Sequence, residues 1–332
     1  MTTVSIGDMA QLFLLRRSNA ETSRQIDGLT ADLARGTASD VGRHLRGQIS
    51  PLAAIETALS RASAYEIAAD QGAARAAAMQ AALGRFSSAA ESNTSTLLRA
   101  AQSGDANSLA IAARDARAAL DDAVLALNTR FSDRSLFSGA TTDRSPLPDA
   151  SALLAAAKAA IGAATTPGDA AVALDDWLSD PAGFAAQVYG GSAEAADIPI
   201  ATDEVVRLDV TAADPALRDT FKGLILGALM SEPGFEDPSS RGVLARMAGN
   251  TLLTAADDRI ALAARIGTVE ARFAQAQSRQ AGEQVVLAQA RSDLVAVDGY
   301  DVATRLEEAR SRLEMIYSLT ARLSRLSLAD YL

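Results

Sequence analysis

Eight of the nine prolines lie between Pro146 and Pro238, and the ninth is Pro51. Proline removes a backbone donor and clashes with the preceding turn, so helix interiors exclude it. Residues 1–145 and 245–332 can therefore run as long helices. Residues 146–244 are broken too often for that and read as an insert of a different kind. The expected fold class is mainly α: a long coiled-coil-like helical bundle formed by both chain ends. A small mixed α+β outer domain containing a β-hairpin is inserted between them. The boundaries are 1–145 plus 245–332 for the bundle and 146–244 for the insert. Residues 1–36 and 300–332 read as terminal helices for assembly.

Composition agrees with that division. Hydrophobic residues are 48% of the chain but aromatics only 4%, so Ala, Leu, Val and Ile carry the apolar content. Ala and Leu are strong helix formers. The net charge is −10, and 146–258 alone carries −11, so the rest of the chain is close to neutral. An acidic chain is a poor partner for nucleic acid. The N-terminal stretch lacks the pattern of a cleavable signal peptide, and no apolar run is long enough to span a bilayer.

The helical segments have a measurable period. Leu12, Leu15, Asn19, Thr22, Ile26, Leu29 and Leu33 alternate by three and four. So do Val302, Leu306, Ala309, Leu313, Ile316, Thr320 and Leu323. That alternation is the seam of a left-handed coiled coil. The last segment, 302–327, would run roughly 39 Å at ~1.5 Å per residue. A further stripe, Leu262, Ile266, Val269, Phe273, Ala276 and Gln280, precedes the interruption "VDGYD". The expected pairing sets Leu12, Leu15, Ile26, Leu29 and Leu33 against Leu306, Leu313, Ile316, Leu323 and Leu326. The apolar residues Leu328, Tyr331 and Leu332 would complete the contact, within the subunit or with a neighbour. The alternative is an ordinary bundle closed within one chain.

Within the insert, Ile198–Ile200 and Val205–Val210 flank Thr202-Asp203-Glu204 and read as a hairpin. "FKGLILGALM" reads as a buried helix and "RSLFSGA" as a short strand.

Catalytic chemistry finds little to use. The chain has no Cys and one His, His44, which removes thiolate chemistry and Cys/His zinc sites. The pairs Asp121-Asp122, Asp175-Asp176 and Asp257-Asp258 are sequence neighbours that do not face one another on a helix. Gly190-Gly191 reads as a turn and Trp177 as a core residue. No catalytic, cofactor or metal site is expected, and no enzyme activity.

Three stretches are nevertheless recognisable. These are "YDVATRLEEARSRLEMIYSLTARLSRLSLADYL" (300–332), "LNTRFSDRSLFSGATTDRSPL" (127–147), and Leu29–Gly36 with Ser39-Asp40. They resemble the flagellin superfamily, and within it the hook-associated protein 3 branch that joins hook to filament. Two departures mark a divergent branch. Asp40 is followed by Val41-Gly42-Arg43 rather than a second Asp and a Pro, and Gly299 is extra. The resemblance implies a structural, extracellular component of the bacterial flagellum, exported by the flagellar type III pathway. Its implied partners are further copies in a ring, the first hook-associated protein, flagellin and an export chaperone, with no nucleic acid and no membrane insertion. A flagellin-type filament subunit, or a type III-secreted coiled-coil translocator or adhesin, is the alternative.

Overall fold

The computed structural model describes the backbone of residues 6–329 and the side chains of residue 10 and residues 13–322. Among these residues the fold is mainly α, with ten helices and two small antiparallel hairpins. The helices are α1 (Ile6–Arg35), α2 (Val41–His44), α3 (Ser50–Ser103), α4 (Ala106–Leu127), α5 (Ala150–Ile161), α6 (Pro167–Ser179), α7 (Phe184–Gln187), α8 (Pro215–Leu229), α9 (Pro238–Val295) and α10 (Gly299–Ala329). The strands are β1 (Arg130–Phe131), β2 (Arg134–Ser135), β3 (Asp197–Ala201) and β4 (Glu204–Arg207). Packing groups residues 1–63 with 282–332 in one compact unit and residues 64–281 in another.

Helix starts follow local chemistry. Asp105, Asp149, Thr166 and Asp214 each accept a backbone N–H of the following first turn, which satisfies a donor the helix cannot. Pro167 and Pro215 stand at first helical positions, where the missing donor costs nothing. Asp237 caps α9 by accepting from Ser240 N at 2.8 Å, and hydrogen bonding from the Ser240 side chain first, then from its backbone N–H and from Ser239, holds its carboxyl down at about 2.

The 64–281 unit is organised by two heptad seams. On α3 the buried residues Ala69, Ala76, Leu83, Ala90 and Leu97 interleave with Met79, Phe86, Asn93 and Ala100 at three- and four-residue spacing. On α9 the seam is Ala248, Leu252, Ala255, Arg259, Leu262, Ile266, Phe273 and Ala276. Gly72 completes the α3 seam for a steric reason: a Cβ there would lie 2.4 Å from the ring of Phe273. Gln280 is a polar seam residue with a purpose. It is buried, and its Nε2 donates to Ile200 O at 3.0 Å, fixing the β3–β4 hairpin against α9. Arg279 pairs with Glu204 at 2.6 Å beside it.

The expected hairpin is present, with Ile198 opposite Val206 and Ala201 opposite Glu204 and an irregularity at Pro199–Ala201. Glu204 belongs to the strand rather than the turn. The strand stops at Arg207, yet the alternation persists: Val206, Leu208 and Val210 are all buried. Helix α8 is nearly buried on every side, as "FKGLILGALM" requires.

Four aromatics tie α6, α7 and α8 to the long helix α3. Trp177 of α6 meets Phe184 edge-on at 5.6 Å. Phe184 lies 6.4 Å from Phe221, and Phe221 meets Phe86 of α3 edge-on at 5.4 Å. Edge-to-face pairs add to ordinary burial, and this ladder concentrates a large share of a scarce residue class in one place.

The stretch 127–147 forms a hydrogen-bonded knot around a minimal hairpin, and of "RSLFSGA" only Arg134–Ser135 are strand. β1 and β2 are only two residues each, joined by Ser132 and Asp133 in left-handed backbone. Asn128 closes the stretch by accepting from Leu147 N with Oδ1 at 3.1 Å and donating to Leu147 O with Nδ2 at 3.0 Å. Ser192 N donates to Ser138 O, Ala140 N to Glu194 O and Ala212 N to Phe137 O. Tyr189 Oη donates to Ser192 O at 2.9 Å. Gly139 sits at the crowded centre with φ +64, where an added Cβ would lie 2.1 Å from Ser192 O. Gly139→Ala is therefore expected to destabilise this unit by about 2 kcal/mol or more, combining left-handed strain with a backbone clash. Urea unfolding followed by circular dichroism measures it. An unchanged midpoint would show that the loop can move apart without loss.

Candidate assembly surface

The unit formed by residues 1–63 and 282–332 is built on α1 and α10. Helix α1 ends where Gly36 adopts φ +68 and donates its N–H to Asp32 O at 2.8 Å, a glycine stop. The chain then pairs with the turn before α10. Ala38 N donates to Val295 O at 2.9 Å and Val297 N to Gly36 O at 3.1 Å, with Thr37 opposite Ala296 in an antiparallel bridge. Asp32 accepts from Ser39 N, and Asp298 accepts from Tyr300 N at 2.8 Å. This clamp sets the end of α1 beside the start of α10, and the two helices pack along one another in opposite directions.

The anticipated seam residues take unequal positions. Leu306 and Ile316 are buried, together with Val302 and Ala309. Leu15, Ile26, Leu29 and Leu313 are half-buried. Leu33 is 42% exposed. The side chains of Leu12, Leu323, Leu326 and Leu328, and residues Tyr331 and Leu332, lie outside the described residues. Thr22, a polar seam position, is buried with its hydroxyl donating to Ser18 O at 2.8 Å, so its polarity is met within its own helix.

A second stripe on α10 escaped the periodicity reading. Arg305, Glu308, Arg312, Met315, Leu319 and Arg322 are exposed or half-exposed at three- and four-residue spacing. They lie off the seam that α1 covers. Met315 is 63% exposed, and Phe13 on α1 is 66% exposed, with Leu14 and Tyr317 also open. The sequence signal was present but weak, because among the described residues Met315 and Leu319 are the only large apolar members of that stripe. Two antiparallel helices cannot bury every face, and exposed apolar residues gathered on one helix pair make a candidate contact surface.

The polar chemistry elsewhere is plain. His44 is exposed at the end of α2, and the three Asp pairs are exposed. Among the described residues no three His, Cys, Asp or Glu side chains gather as a metal site. Among them, too, no helix is long and apolar enough to cross a membrane.

Residues 252–332, the second part of α9 and all of α10, match the family model of the bacterial flagellin C-terminal helical region. The chain is similar to bacterial flagellin over this C-terminal region. Its fold is also found in a solved structure provisionally assigned as a flagellar hook-associated protein of Vibrio parahaemolyticus. The two superpose with a TM-score of 0.52 at 12% identity, covering 73% of this chain and 95% of that one. At that identity the likeness is one of fold. No curated protein matches the sequence. The region similar to flagellin includes both the covered seam of α10 and, among the described residues, its open stripe.

Proposed function

We propose that this chain is a hook–filament junction adapter, a structural subunit that polymerises as a ring between the first hook-associated protein and flagellin. The observation that carries the reading is the α1–α10 pair. Its inner seam is closed within the subunit, while Phe13, Met315 and Leu319 stay open to solvent. A subunit lattice would cover such residues, and a dilute monomer does not. The likeness in fold to a hook-associated protein supports the same assignment, as does the ending "LSLADYL". On this reading the chain leaves the cell by the flagellar export route and works outside it, in contact with copies of itself and two neighbouring flagellar proteins.

A filament subunit of flagellin type would share the fold and the family match, and location separates the two. Antibody labelling of flagella with gold particles is expected to mark one narrow band where hook meets filament. Label along the whole filament would replace the junction reading with a filament subunit. Absence of label from flagella altogether would overturn both.

A further inference from the structure

Helices α3 and α4 leave between them an open groove of about 840 Å³ on the 64–281 unit. Its walls are small side chains, among them Gly84, Ala89, Ala118 and Ala119. Ala89 and Ala118 leave room for the larger side chains of something else. At its floor lies Asn93, 3% exposed, with neither amide oxygen nor amide nitrogen hydrogen-bonded among the described residues. A buried, unmet amide costs stability, and at a heptad seam a buried Asn is a device for specifying partner and register. Asp115 and Asp122 stand exposed on the α4 wall, two helical turns apart. Arg85 on the α3 wall is turned to Thr129 Oγ1 at 3.1 Å.

The complementary shape is a corner on the other unit. After α2 the chain turns through Arg46 (φ +52) and Gly47 (φ +81). The turn is closed by Gly47 N donating to Gly42 O at 2.9 Å and Gln48 N to Leu45 O at 2.9 Å. The corner is therefore a preformed knob. Ile49 projects 55% exposed beside Arg46, which is exposed. Arg43 is also open and pairs with Asp40 at 3.5 Å. The open stripe of α10 is the other apolar and basic surface of that unit, but the terminal-helix assembly proposed above already uses it.

We propose that the Arg43–Ile49 corner of one copy docks in the α3–α4 groove of a second copy. Ile49 would enter between the small side chains, and Arg43 and Arg46 would meet Asp115 and Asp122. The occupant is argued from charge: two cations beside an apolar tip against two carboxylates beside a small-residue trough. Exposed ion pairs add little affinity, but they fix orientation and suppress wrong registers. A knob and a groove at different places on one subunit make a head-to-tail contact, which generates rings or helical arrays. The inference rests on the reading that copies of this chain assemble, and adds one contact to it.

The chain has no cysteine, so introduced thiols report without background. Full-length I49C and S92C variants are mixed under assembly conditions and oxidised; a disulfide forms only where Cα atoms come within roughly 7 Å. The expected result is a covalent heterodimer at least tenfold above either variant alone. R43E/R46E in the I49C chain should lower it at least tenfold, and D115R/D122R in the S92C chain should restore it. Sedimentation of the unmodified chain on the same day reports assembly separately. Copies that assemble without the cross-link overturn the docking and leave the terminal-helix reading standing. Copies that neither assemble nor cross-link overturn both. A cross-link insensitive to the charge reversals overturns the proposed chemistry of the contact.

Discussion

Phe221→Ala is expected to cost the 64–281 unit about 3–5 kcal/mol, the range for truncating a fully buried aromatic. Phe221 has no exposed surface and stands in the middle of the ladder. It touches Phe86 at 5.4 Å on one side and Phe184 at 6.4 Å on the other. Its removal leaves a cavity where α8, α3 and α7 meet. The surroundings are close-packed helices that cannot collapse into it cheaply, so the transfer loss and the cavity term add. Phe221→Leu should recover roughly half of the loss, since it restores volume without the edge-to-face contacts. Guanidinium unfolding of both variants, followed by circular dichroism, gives the comparison. A loss below ~1 kcal/mol for the alanine variant would show that the ladder is not what joins α6, α7 and α8 to α3.

The second large effect concerns assembly. Leu306→Asp with Ile316→Asp should abolish polymerisation and separate α10 from α1, while the 64–281 unit keeps its unfolding transition. Both residues are buried against α1, and an unpaired carboxylate there costs on the order of 3–5 kcal/mol per site. An antiparallel helix pair has little else to offset it, because isolated helices are marginal in water. The open stripe of α10 would then be displayed on a helix that no longer holds its place, and the lattice contact would go with it. Sedimentation and electron microscopy read the assembly, and scanning calorimetry reads the retained unit. Flagella with an unaltered hook–filament junction in cells carrying only the double variant would sink the proposed role of this helix pair.

Much of the fold was legible because proline and apolar spacing are local signals. The stop at Gly36, the break at "VDGYD" and the hairpin around Asp203 all follow from backbone chemistry a few residues wide. The seam of α3 was not legible, for a physical reason. The helix is so rich in Ala that its two faces look alike: Ala69 is buried while Ala74 is exposed, and both are equally apolar. Periodicity needs contrast, and alanine removes it. The knot around Gly139 was also hidden, since its crowding comes from Ser192 and Glu194, some fifty residues away. "RSLFSGA" reads locally as a strand, but only Arg134–Ser135 join a ladder; the backbone groups of Phe137, Ser138 and Ala140 are taken by distant partners.

The assembly surface divides in the same way. The inner seam of α10 could be read from spacing, since Leu306, Ile316 and their neighbours repeat regularly. The open stripe carrying Met315 and Leu319 could be recognised only once α1 was seen to cover the other face. The groove with Asn93 at its floor needed two helices placed side by side.

By itself, then, the sequence determined where helices can run, where they must stop, and that both ends carry apolar stripes. Those are consequences of single residues and short periods. Tertiary structure decided which alanines are buried, that Trp177, Phe184, Phe221 and Phe86 form one ladder, and which stripe of α10 is left uncovered by α1. Each of these depends on residues far apart in the chain meeting in space, and burial is a property of the meeting rather than of either residue alone.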